Sequence, residues 1–169
     1  MLTLKRLTNK ESNYQALYEW YQDEEVTSAF EQKSLSINEI KNKYYPRTLK
    51  NTNVFVYLIF YQNKPIGLIQ YQKISLENLK LYKINDGYEI DIFIGSKKYR
   101  NKGLGTSSIN ILTNYLHKKG ITTVVLCPLS SNKIAINCYL KCNYKINGVF
   151  ITKDTQGTNK EYVLMINKP

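Results

Sequence analysis

Tyr88-Glu-Ile-Asp-Ile-Phe-Ile-Gly-Ser-Lys-Lys-Tyr-Arg100-Asn-Lys-Gly103-Leu-Gly105-Thr106 is the stretch on which the fold of this 169-residue chain turns. Tyr88–Ile94 alternates as a strand does. A basic loop follows, then two glycines one residue apart. Residues 103–118 then carry helical spacing that ends at Gly120, a natural helix stop. Glycines let a backbone turn sharply and bring its N–H groups against a ligand. A helix start adds unpaired N–H donors and the positive end of a dipole. The combination suits an anion such as a pyrophosphate, with Arg100 and Lys102 adding charge. It is neither the G-x-G-x-x-G of a dinucleotide fold nor the G-K-[ST] of a Walker loop.

Outward from this loop the periods change in a fixed order. Residues 12–26 place Tyr14, Leu17, Tyr18 and Tyr21 at helical spacing, with Ser12 as the expected N-cap. Ser36 with Glu39 forms a capping-box pattern for a second helix, stopped by Pro46. Val54–Tyr61 and Ile66–Gln72 read as a hairpin joined by Gln62-Asn63-Lys64-Pro65. A polar excursion leads to Tyr88. Thr122–Cys127 reads as a buried strand, Asn132–Cys142 as a helix, and residues 145–151 and 161–166 as strands about the turn Asp154-Thr155-Gln156-Gly157. The strand–helix–strand unit over 88–127 implies one parallel pair in a mostly antiparallel sheet. The expected fold class is therefore mixed α/β, with helices flanking that sheet, and the expected organisation is one domain over residues 1–169.

Composition narrows the function classes. With 43% hydrophobic residues and fifteen Tyr the chain can bury a real core, which excludes a disordered tail. No apolar run approaches the roughly 18 residues of a membrane span, so no membrane partner is expected. No secretory signal is visible at Met1–Arg6. Cys127, Cys138 and Cys142 are odd in number and form no CxxC pair, as in a reduced, cytoplasmic protein. The formal charge of +11 raises the question of nucleic acid. Arginine, the preferred reader of bases and phosphates, appears only as Arg6, Arg47 and Arg100, and the lysines form no block, so a nucleic-acid partner is not expected. No Cys/His/carboxylate cluster has metal-ligand spacing, and His117 reads as a surface residue at a helix end.

Arg100-Asn101-Lys102-Gly103-Leu104-Gly105 matches the [RQ]-x-x-G-x-[GA] signature of the GNAT superfamily of N-acetyltransferases, which the chain resembles. Asn132-Lys-Ile-Ala135-Ile136-Asn-Cys-Tyr139-Leu-Lys141-Cys-Asn-Tyr144 resembles the family's second block. Cys142 stands there where Gly is usual, and Tyr144 where Phe is usual. The resemblance implies that acetyl-CoA is the cosubstrate. It places the pyrophosphate on Arg100–Thr106, the strand residues Phe93 and Ile94 along the coenzyme, Asn132 at the pantetheine arm and Tyr139 near the thioester sulfur. Leu17-Tyr18-Glu19-Trp20, Asn63–Gly67 and Tyr88–Gly95 further resemble aminoglycoside 6′-N-acetyltransferases. That likeness covers nearly the whole chain and implies that Asp91 holds or deprotonates the substrate amine. A second acid usually precedes the proline after the next strand; here Cys127 precedes Pro128.

Acetyl transfer to an amine needs a base or water relay for the amine proton, an aligned thioester, a donor to the developing oxyanion and a proton for the departing thiolate. Asp91 is the expected base or amine anchor and Tyr139 the thiolate's proton donor. A backbone N–H of the Asp91–Ile94 strand is the oxyanion donor. Strand alternation puts Glu89 on the Asp91 face. Glu89 and Trp20 complete the expected substrate-binding set, although each also reads as an ordinary strand or core position. The leading acceptor is the 6′-amine of an aminoglycoside. The rivals are another small-molecule amine or protein N-terminus with the same chemistry and, from a different class, a basic RNA- or ribosome-associated protein. Dimers are frequent in the superfamily, so a homodimer is an open expectation that no residue here specifies.

Overall fold

A computed structural model describes residues 1–31 and 33–169. A seven-stranded sheet runs through it in the order β1-β2-β3-β4-β5-β7-β6. Its strands are β1 (Leu2–Arg6), β2 (Val54–Tyr61), β3 (Lys64–Lys73), β4 (Tyr88–Ile94), β5 (Val124–Leu126), β6 (Lys145–Lys153) and β7 (Asn159–Asn167). Every pairing is antiparallel except β4 with β5. The mixed sheet and its single parallel pair are as the sequence implies.

Helices cover both faces: α1 (Glu11–Trp20), α2 (Glu24–Val26), α3 (Ile37–Tyr44), α4 (Leu76–Tyr82), α5 (Leu104–Lys118) and α6 (Lys133–Lys141). Because successive strand residues point to opposite faces, one strand feeds two cores. Leu58, Leu68 and Phe93 pack with Leu17, Tyr21, Ile40 and Tyr44 under α1 and α3. Ile69 and Ile90 pack with Ile109, Leu112, Leu116, Ile136 and Tyr139 under α5 and α6. A third cluster joins Tyr82 of α4 to Val125, Leu164 and Ile166.

Local chemistry sets the boundaries. Ser36 and Glu39 close the capping box that starts α3. Gln62 and Asn63, at φ 50° and 62°, make the two-residue turn between β2 and β3, with the left-handed backbone such hairpins need. Proline lacks a ladder N–H, and Pro65 sits inside β3 where the register slips opposite Phe60. Several expectations need correction. Helix α1 starts at Glu11 with Lys10 at its N-cap and no side-chain cap, so Ser12 lies inside the first turn. The chain between Gln72 and Tyr88 holds α4, capped by Ser75, whose Oγ accepts from the Asn78 N–H at 3.1 Å. His117 is half-buried, its Nδ1 2.7 Å from the Ile121 carbonyl and its Nε2 2.7 Å from Asn167 Oδ1.

Candidate active site

Strands β4 and β5 part almost as soon as they meet. Their register comprises Tyr88↔Val124 and Glu89↔Val125, whereas β3 pairs β4 from Tyr88 through Ile94. The Tyr88 N–H donates across the parallel pair to the Thr123 carbonyl at 3.0 Å. Backbone direction alternates along a strand, so Ile92 and Ile94, beyond the last paired residue, aim their N–H groups the way Tyr88 does, into the space between the diverging strands. That edge is a row of amide groups suited to an arm that itself carries amides. Phe93, grouped with Ile94 in the sequence, turns its buried ring to the opposite core, where it meets Trp20, Tyr21 and Phe30 edge-on.

At the end of β4 the loop turns into α5. Asn101 and Gly103 are left-handed, at φ 58° and 73°, and Gly103 is the N-cap with no side-chain cap bond. The N–H groups of the first turn of this 15-residue helix therefore stand open beside Leu104, Gly105 and Thr106, and a methyl group at Gly103 would meet nothing within 4 Å. Open donors, an exposed Lys102 and the dipole of a long helix fit a pyrophosphate. The Arg100 guanidinium is engaged elsewhere. Its Nε donates to the Ile94 carbonyl at 2.8 Å and its Nη2 to the Gly95 carbonyl at 2.9 Å and Asp23 Oδ2 at 2.7 Å. Its Nη1 donates to Glu25. Asn132, on the facing wall, caps α6 by accepting from the Ala135 N–H at 3.1 Å.

On the other face of β4, Asp91 sits at the end of a polar chain. Arg6 Nη2 donates to the Arg47 carbonyl at 2.7 Å, Arg47 Nη1 to Gln70 Oε1 at 2.9 Å, and Gln70 Nε2 to Asp91 Oδ2 at 2.9 Å. Asp91 Oδ1 accepts no hydrogen bond among the described residues. Burial pushes the Asp91 carboxyl up, against the pull of Gln70, Arg47 and Lys43. Two residues back, Glu89 accepts from the Tyr82 hydroxyl at 3.1 Å, with the Cys127 thiol beside it. Burial first, and then the like charge of Asp91, push Glu89 up to about 7. Cys127 is raised well above the usual thiol range by burial and by Glu89. Lys43, its ammonium 5.3–5.6 Å from the ring centres of Tyr21, Phe30 and Tyr44, is pushed down to about 7 by burial and by Arg47.

Glu89 and Asp91 thus share a face, as the alternation predicts. Each is half-buried, with part of its side chain open to solvent. Trp20 is buried, its indole against Gly95 and Phe93. Tyr139 is buried on α6 beside Tyr144, ring centres 6.5 Å apart, and burial holds its phenol well above the usual range. Sequence reasoning did not find Gln70, Arg47, Lys43 or Tyr82. They come from β3, the turn after α3, α3 and α4, and no local spacing links them. No group of three or more His, Cys, Asp or Glu arranged for a metal is present among the described residues.

The profile of the Acetyltransferase (GNAT) family matches residues 14–144, which spans Asp91 and Glu89, the parting strands and the glycine loop. This chain belongs to the GNAT acetyltransferase family. Its reaction is acyl transfer from acetyl-CoA. The GNAT chain is 26% identical over 166 residues to the aminoglycoside N(6′)-acetyltransferase type 1 of Klebsiella pneumoniae, covering 90% of this chain and 78% of that protein. The match to the Serratia marcescens protein of the same name has the same extent. Among solved structures, aminoglycoside acetyltransferase AAC(6′)-Ib in complex with coenzyme A superposes with a TM-score of 0.77 at 23% identity, covering 99% and 95% of the two chains. Spermidine N-acetyltransferase from Vibrio cholerae, in complex with CoA and spermine, gives 0.79 at 20% identity, with the same coverage. These structural likenesses speak to the fold.

Proposed function

We propose that this GNAT enzyme, one domain over residues 1–169, acetylates the 6′-amine of an aminoglycoside-like substrate by direct transfer. The observation that carries this reading is Asp91, whose Oδ2 is fixed by Gln70 and whose Oδ1 is left to meet an ammonium beside the gap between β4 and β5. The 26% identity to two aminoglycoside N(6′)-acetyltransferases supports this choice of acceptor.

Acetyl-CoA supplies an acetyl group already activated as a thioester. The open N–H groups from Gly103 to Thr106 hold its pyrophosphate, and the β4 edge from Ile90 to Ile94 aligns its arm and presents a backbone N–H to the developing oxyanion. Asp91 anchors the amine. Glu89, which burial brings to about 7, is the group on this face suited to take the amine proton at neutral pH, directly or through water. Tyr139, protonated throughout the working range, gives its proton to the departing thiolate.

A second acceptor class, a metabolite amine or protein N-terminus, is favoured by Lys43 and Arg47 beside Asp91 and by Cys127 in place of an acid. A polycation gains most from a surplus of carboxylates, and this face balances its two acids with two bases. Thiol release from acetyl-CoA, with an aminoglycoside pair differing by a 6′-amine against a 6′-hydroxyl, separates the readings. Release with the amine alone supports the aminoglycoside. Release with neither, but with peptide or metabolite amines, overturns it.

A further inference from the structure

Two of the three thiols lie against Thr106 in the Gly103–Thr106 loop, and the proposed reaction uses neither. Cys138 is half-buried on α6, and its Sγ is 3.2 Å from Thr106 Oγ1, in the first turn of α5. A methyl group placed on Gly105 would lie 3.9 Å from the same sulfur. One turn on, the Cys142 thiol donates to the Thr106 carbonyl at 3.5 Å. Thr106 therefore meets both sulfurs, one through its hydroxyl and one through its backbone.

We propose that Cys138 is a redox-modification site: a hydroperoxide oxidises it, Cys142 resolves it as an intramolecular disulfide, and the bridge loosens the first turn of α5 against coenzyme. The effect on coenzyme rests on the reading of Gly103–Thr106 as the pyrophosphate loop.

Helix N-termini, hydroxyl and thiol donors and nearby cations all favour the thiolate, the reactive form of cysteine. Cys138 has each of them: α5 from its N-terminal end, Thr106, Cys142 and Lys141. The neighbouring Cys142 first, then Thr106 and Lys141, bring the Cys138 thiol down to about 6 against the effect of burial. In the first step the Cys138 sulfur attacks a peroxide oxygen. An S–O bond forms, the O–O bond breaks, and the leaving oxygen takes the electron pair and a proton. In the second, the Cys142 sulfur attacks the sulfenic sulfur. The S–S bond forms, the S–O bond breaks, and hydroxide departs as water with the Cys142 proton. Two thiols lose two electrons and one hydroperoxide is reduced. Residues one turn apart hold their Cβ atoms about 5–6 Å apart, whereas a disulfide needs about 3.5–4.5 Å. The bridge must therefore tighten the end of α6, where Cys142 is already the C-cap at φ −93° and ψ 18°. Tightening draws both sulfurs off Thr106.

The test has two arms. Alkylation by iodoacetamide at pH 6.5, read by peptide mass, should modify Cys138 at least about tenfold faster than Cys127 or Cys142. Hydrogen peroxide should then yield a linked 138–142 peptide and weaken coenzyme A binding about tenfold or more, with recovery on adding dithiothreitol. The Cys142→Ser variant should stop at a sulfenic acid that dimedone traps, and Cys138→Ser should keep its own coenzyme affinity through peroxide. Equal alkylation of the three cysteines overturns the proposal, as does a bridge that leaves coenzyme affinity unchanged. A reduced enzyme that binds no coenzyme A refutes the loop assignment instead, and the alkylation rates still judge the thiol.

Discussion

Trp20 and Gly95 share one contact surface: a Cβ on Gly95 would lie 2.1 Å from Trp20 Cγ and 2.3 Å from Cδ2. The indole fills the space that a side chain at 95 would need, just past the end of β4. Gly95→Ala should destabilise the fold by about 1–3 kcal/mol, the usual range for overpacking a core. Trp20→Phe should recover part of that loss in the double variant. Urea unfolding of the four proteins checks the coupling; additive effects would show that the two residues do not compete for space.

Arg100 straps the end of β4 to the segment around α2, and the strap's two acids are unequal. The Asp23 side chain is 11% exposed and that of Glu25 73%. Removing one partner of a buried pair leaves an uncompensated charge, while an exposed pair contributes little. Asp23→Ala should therefore cost several-fold more stability than Glu25→Ala, whose effect should stay below about 1 kcal/mol. Thermal unfolding at matched pH gives the ranking.

As the proposed base, Glu89 should link activity to pH. Its folded value of about 7 makes the ionised base scarce in acid, so kcat/KM should rise with pH through about 7. Tyr82 donates to the ionised carboxylate and lowers its value, so Tyr82→Phe should move that limb to higher pH. Glu89→Gln should cut kcat/KM by about 10²–10³ and abolish the limb. The sign for stability is opposite to that of an ordinary carboxylate. The folded state keeps the proton after the unfolded chain has lost it, so the Glu89 contribution falls as pH climbs from 4.5 towards 7. Glu89→Gln should flatten that slope in urea titrations.

Asp91 and Tyr139 should separate by kinetic signature. Asp91→Asn should raise the acceptor KM and lower kcat/KM by about 10²-fold or more, with coenzyme affinity unchanged. Tyr139→Phe should lower kcat about tenfold or more and leave the acceptor KM in place. A Tyr139→Phe enzyme with full kcat would remove that phenol from the reaction.

The glycine loop and the strand ahead of it were legible because their signals are local. Alternation over Tyr88–Ile94, a Gly-x-Gly and a helical period follow one another within 31 residues of chain. Strand β1 gave no such signal: five residues acquire strand character by pairing with β2. Helix α4 had its Ser75 cap in plain view, but seven residues among polar neighbours carry little periodicity, and Tyr82 was lost with it. Glu89 read as an ordinary strand position because its burial depends on Tyr82 and Cys127, brought to it from α4 and from the end of β5. The Arg6–Arg47–Gln70–Asp91 chain spans four separate segments, and tertiary packing alone assembles it.

The brief meeting of β4 and β5 makes this sheet behave like two leaves on a short spine. One leaf is β1–β4 and the other β5, β7 and β6, joined through Tyr88↔Val124 and Glu89↔Val125. The spine therefore ends at Glu89, the residue proposed to take the amine proton. Any change in the angle between the leaves swings Asp91, two residues beyond the spine, and opens or narrows the channel along Ile90–Ile94. Amide exchange at Ile92 and Ile94 thus reads the leaf angle directly, and a molecule lying along that edge acts as a bookmark that fixes it.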